Sequence, residues 1–135
     1  MDDIKCKKLK AELSAQAEPQ IVPVDRFFDG NDDMGSIGCN LPEHPGIGTF
    51  RDVLAGLLRR SDVEAVFAQI YEVDPGPDSW PFADLVLVAR TISVNDLRVA
   101  VNVLEPDQVS AASDFSVSPL VAERHKSPIL AIWWD

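Results

Sequence analysis

The chain has only two cysteines, Cys6 and Cys39, and no run of 18 apolar residues. Two thiols in dissimilar settings make no disulfide framework, so ordinary thiols in a reducing compartment are expected. The missing apolar run removes a transmembrane helix, and no membrane partner is assigned. Met1-Asp2-Asp3-Ile4-Lys5 lacks the apolar core of a signal peptide, which makes the cytoplasm the expected location. A Walker loop, a Rossmann fingerprint, HExxH, CxxC and GxSxG are all absent. No cofactor, metal or catalytic residue is therefore assigned, and the reading leans away from an enzyme.

Positive charge is also scarce. Against 12 Lys and Arg stand 22 Asp and Glu, a formal net charge of -10. The deficit is uneven: residues 1–20 balance four acids with four lysines, while Ser61 to Ala89 holds six acids and no Lys or Arg. Such a surface repels phosphate backbones, so nucleic acid is not an expected partner. A basic protein is the partner that fits, and simple solubility is the plainer explanation.

At 135 residues the chain suits one domain that buries roughly 68% of its unfolded surface. Residues 1–20 read as a mobile or weakly helical arm with a thin stripe at Ile4, Leu9 and Leu13. Residues 21–135 form the α+β domain. Ile21 to Val24 is extended, and Ser36 to Leu41 is a short strand. A helix follows, with Thr49 as N-cap, Asp52 three residues on, and a stripe of Phe50, Val53, Leu54, Leu57 and Leu58. Val63 to Val73 is a strand with Val66, Ala68 and Ile70 on one face and Phe67 and Tyr71 on the other. Phe82 to Ile92 is a second strand whose run Leu85-Val86-Leu87-Val88-Ala89 indicates burial on both faces. Ser93 and Asp96 open a second helix that Pro106 ends. Residues 105–127 are irregular with room for a helical turn, and Ile129 to Trp134 is a terminal strand that either needs its tryptophans for docking or offers an edge for dimerisation.

The order strand, helix, strand, strand, helix, strand is the ferredoxin-like, split βαβ pattern: a four-stranded antiparallel sheet with two helices on one face. The opposite face, with Phe67, Tyr71 and a terminal tryptophan, then needs cover from the N-terminal segment, a second subunit or a ligand.

The most distinctive stretch is Phe27 to Asn40, with three Asp, two Asn and three Gly. These residues tolerate positive φ and bond to their own backbone, so a structured turn is expected. Asp29, Asn31 and Asp33 alternate as calcium ligands do, but the Glu expected twelfth from Asp29 is Asn40. Cys39 and His44 could pair as nucleophile and base, yet no third residue orients them, and a buried cysteine in a short strand is the simpler reading. Glu72, Asp74, Asp78 and Asp84 surround a Pro-rich loop carrying Trp80. An exposed Trp80 there would be a binding anchor; it could equally fold back onto the core. The candidate binding residues are Asn31, Asp32, Asp33, Ser36, Asn40, His44, Asp78 and Trp80.

Phe27-Phe28-Asp29-Gly30-Asn31-Asp32-Asp33, Gly35 to Leu41, His44-Pro45-Gly46, Trp80-Pro81-Phe82 and Trp133-Trp134-Asp135 together resemble a group of small uncharacterised bacterial proteins. The resemblance covers most of residues 21–135. It implies a bacterial cytosolic origin and carries no catalytic residue to this chain.

The leading expectation is a small acidic binding module, of immunity or regulatory type, for a basic protein. A small-ligand or divalent-metal-dependent enzyme using the Asp29–His44 loop is the second. A homodimeric structural domain is the third.

Overall fold

A computed structural model describes residues 1–89, 91–125 and 128–135. The fold is α+β, built on an open antiparallel sheet of five strands. The strands are β1 (Ile21–Pro23), β2 (Ala65–Glu72), β3 (Phe82–Ala89), β4 (Gln108–Ala111) and β5 (Ile129–Trp133), in the order β1-β2-β3-β5-β4. The helices are α1 (Asp3–Ser14), α2 (Val24–Phe28), α3 (Ile47–Leu57), α4 (Val94–Val101) and α5 (Pro119–Arg124).

β3 lies in the middle, as its unbroken apolar run requires. Its residues alternate between two separate cores: Val86 and Val88 join one, Leu85 and Leu87 the other. The larger core takes Val66, Ala68 and Ile70 from β2 and the inward faces of α1 to α4. The smaller core takes Phe67 and Ile21 under a strap formed by residues 112–124. Gln69, 7% exposed, ties that strap down. Its Nε2 donates to Ser116 O at 2.9 Å and its Oε1 accepts from Ser118 N at 2.9 Å. The chain thus covers the sheet's second face itself, where the sequence left the choice among the N-terminal segment, a second subunit and a ligand.

A four-stranded ferredoxin-like sheet is not what forms. Ser36 to Leu41 is not a strand: Met34–Ser36 is a 3₁₀ turn, and Ile37 makes one isolated parallel bridge to Ala83. Gly38 cuts the extension short with φ 63°, a conformation that side chains disfavour. It also packs under Phe50, so an added Cβ would meet Phe50 Cζ at 2.7 Å. Two strands form elsewhere. β1 pairs with β2, Val22 opposite Ala68, and its Pro23 is tolerated because β1 is an edge. β4 arises within the stretch expected to be irregular, pairing Val109 with Ile132. β4 covers β5, so the terminal tryptophans offer no free edge.

The helices differ in detail. The arm is helical over Asp3–Ser14, capped by the Asp2 side chain, which accepts from the backbone N–H groups of Ile4 and Lys5. Cys6, Leu9 and Leu13 are buried, while Ile4 is 80% exposed. α3 starts at Ile47 with Gly46 as N-cap, so Thr49 is not the cap; its hydroxyl instead donates to Pro45 O at 2.9 Å. Phe50, Leu54 and Leu57 are buried as the spacing demands, and Leu58 is exposed. Ser93 does cap α4, accepting from Asp96 N. Among the described residues no helix is long and apolar enough to cross a membrane.

Gly38→Ala is expected to lower stability by about 2–4 kcal/mol, the sum of left-handed strain and overpacking against Phe50. Chemical denaturation of the variant beside wild type measures it, and a change below about 0.5 kcal/mol would contradict the assigned packing.

Candidate functional site

The Gly/Asn/Asp stretch is a structural clamp. Asn31 is 7% exposed; its Nδ2 donates to Ser36 Oγ at 3.0 Å, and its Oδ1 accepts from Asp33 N at 2.9 Å. Asp33 Oδ1 accepts from Gly35 N at 2.9 Å, and its Oδ2 accepts from Trp80 N at 3.0 Å. One carboxylate thereby closes the turn and holds the Pro-rich loop onto it. Asp29 accepts from Lys5 Nζ at 2.7 Å, and that hydrogen bond holds its carboxyl below the usual range. Asp32 pairs with the Met1 amine at 2.9 Å. All three aspartates are committed to partners within the chain. Among the described residues no group of three or more His, Cys, Asp and Glu could hold a metal ion.

The other candidate residues divide. Ser36 is fully buried. Trp80, at 0% exposure, is no surface anchor: it folds back onto the core. Lys10 pins the loop before it, donating to Asp74 Oδ1 at 2.9 Å and to Gly76 O at 2.8 Å. Asp78 is exposed at a shallow recess with Met1, Lys7 and Lys10. His44 uses both ring nitrogens locally. Gly46 N donates to Nδ1 at 2.9 Å, which leaves the ring hydrogen on Nε2 facing Ile37 O at 2.8 Å. No nitrogen is left to activate a thiol. Cys39 is exposed in a turn rather than buried in a strand, and both cysteines are free. Burial pushes the Cys6 thiol up, away from reactivity.

Asn40 belongs to a different place. It lines a cleft of about 230 Å3 at one end of the sheet, with Gly38, Cys39, Tyr71, Asp84, Trp133 and Asp135. Three elements build it. β2 ends at Tyr71 and Glu72, β3 brings Asp84, and β5 ends at Trp133, paired with Leu85. Trp134 N donates to Asp84 O at 2.9 Å, which fixes the end of β5 beside the start of β3. The 38–40 turn forms the rim, held there by Asn40 Nδ2 donating to Asp135 O at 3.0 Å. Trp134 is buried, its Nε1 donating to Leu104 O at 2.9 Å. Trp133 leans to the other face, against Phe115. The two rings divide between the faces as strand alternation predicts.

Tyr71 is 74% exposed, beyond the reach of the strap. Asp84 is half-buried, and the loss of water around it pushes its carboxyl up, outweighing the opposing pull of its own backbone and of Trp133. Among the described residues no Lys, Arg or His lines this cleft. Its chemistry is a desolvated carboxylate between aromatic groups, suited to holding a cation rather than to a nucleophilic reaction. Asp84 and Trp133 are visible in the sequence as an acidic residue and an end-of-strand aromatic. Their convergence with Tyr71 depends on pairings across three strands and has no local signal.

Two stability outcomes follow. Asp33→Ala leaves the buried Trp80 N–H unpaired and is expected to cost about 1–3 kcal/mol by denaturant titration. Asp84→Asn should act in the opposite direction. The folded state holds the Asp84 proton more tightly than the unfolded chain does, so ionising it costs stability above the folded pKa and costs nothing below the unfolded one. The variant is therefore expected to melt higher than wild type at pH 7, with the gain disappearing as the pH falls through the carboxylate range. A lower melting temperature at pH 7 would contradict this.

No curated protein and no solved structure matches the chain. A family model does match, over residues 4–129, and its description is Uncharacterized protein YfbO family. That span takes in the clamp, the 38–40 rim and the β2 and β3 ends of the cleft, and on it the chain belongs to the YfbO family.

Proposed function

We propose that this protein is a small acidic binding module for a basic protein partner. The observation that carries the reading is the concentration of unpaired negative charge at the cleft end of the sheet. Asp62 is paired with Arg60 at 2.8 Å and Asp74 with Lys10 at 2.9 Å. Glu72 at the end of β2, and Asp84 and Asp135 in the cleft beside exposed Tyr71 and half-buried Trp133, have no cationic partner among the described residues. Carboxylates grouped around aromatic side chains are a surface that gains from meeting Lys or Arg. An immunity-type or regulatory role belongs to this reading, since such a protein acts by covering its partner.

Electrostatic steering by such a surface is weakened by salt. Capture from a bacterial lysate at about 50 mM salt should retain a basic protein that is released at about 500 mM. The triple variant Glu72→Gln/Asp84→Asn/Asp135→Asn should lose it while staying folded. Retention by the variant, or binding indifferent to salt, would overturn the reading.

A further inference from the structure

We propose that the cleft between Tyr71, Asp84 and Trp133 is a receptor for one arginine side chain, with the guanidinium against the Asp84 carboxylate and its plane against an aromatic ring. The inference rests on the acidic-module reading and specifies the chemistry that its partner presents.

Size argues for a side chain. The cleft holds about 230 Å3, below the roughly 300–1,000 Å3 of typical small-molecule sites. Charge argues for a cation. Among the described residues the lining carries two side-chain carboxylates, Asp84 and Asp135, and no positive side chain. Asp84 is desolvated without a counter-ion among the described residues, a state that costs stability and that an incoming guanidinium would relieve.

The aromatic residues argue for a planar cation. Tyr71 stands 74% exposed at the mouth, although the strap covers Phe67 on the same strand. Guanidinium stacks on such rings, sheds water more readily than an ammonium and meets a carboxylate with two donors, so arginine fits better than lysine. The rim is braced independently of any ligand by Asn40 bonding to Asp135 O, so the cleft is formed before binding.

The test is a two-dimensional amide NMR titration with N-acetyl-arginine methylamide, alongside its citrulline and lysine counterparts. Citrulline keeps the shape and removes the charge. The arginine compound is expected to give saturable shifts at Asn40, Tyr71, Asp84 and the Trp133 indole, with a millimolar Kd. Citrulline should bind at least tenfold more weakly, and lysine several-fold more weakly. Asp84→Asn and Tyr71→Ala should each weaken arginine several-fold with the spectral dispersion of a folded chain retained. Tyr71 is so exposed that its truncation does not threaten folding. Absence of saturable shifts, equal binding of citrulline or lysine, or an unchanged affinity in Asp84→Asn would overturn the proposal. If the arginine compound fails while the basic protein is still captured by wild type and lost by the triple variant, the arginine receptor falls and the acidic module stands. If the compound binds but no basic protein is captured, the guanidinium site stands and the protein-partner reading falls.

Discussion

The constraint on which the rest of this structure depends is the burial of β3 on both faces. Leu85 to Ala89 presents apolar side chains alternately up and down, and β5 continues the pattern beside it. A sheet with two apolar faces must be covered twice. One cover is the group of helices α1 to α4, and the other is the 112–124 strap. The strap is too short to bury much surface by itself. The side-chain amide of Gln69 compensates, fastening it by two hydrogen bonds in a place where an unpaired amide would be costly. Where the strap stops, β2 runs on to Tyr71, and the sheet's end is left open to solvent.

The acidic character divides along the same line. On the helical side, carboxylates work inward. Asp2 caps α1, Asp33 holds the turn to the Trp80 backbone, and Asp29 and Asp74 receive the lysines of α1. Those lysines, clustered in an otherwise acidic chain, join the first helix to the loops beneath it. At the cleft end no such neutralisation occurs among the described residues. Charge is left there in a partly dry setting, which costs the fold something to maintain.

Much of the middle of the chain is legible from its pattern. α3, β2, β3, α4 and β5 appear where apolar spacing puts them, because each carries several residues of one period. The short strands β1 and β4 do not: three or four residues cannot establish a period, and both exist because a longer neighbour offers a free edge. Ser36 to Leu41 fails in the reverse sense. Its composition suits a short strand, but Gly38 turns the backbone and tucks beneath Phe50. Trp80 shows the limit for sites. Proline, glycine and acid around a tryptophan leave open whether it is an exposed anchor or folds onto the core, and Asp33, distant in sequence, draws the loop inward.

Local composition by itself determined the two-sided β3, the helical stripes, the structured Asn/Asp/Gly turn and the acidic balance, since each depends on neighbours within a few residues. Tertiary structure alone decided which carboxylates are spent on internal hydrogen bonds and which have no cationic partner among the described residues. It also decided that Tyr71, Asp84 and Trp133 meet. These outcomes depend on strand register and on contacts between residues far apart in the chain, where the free energy of pairing is shared among many groups and leaves no mark on any one segment.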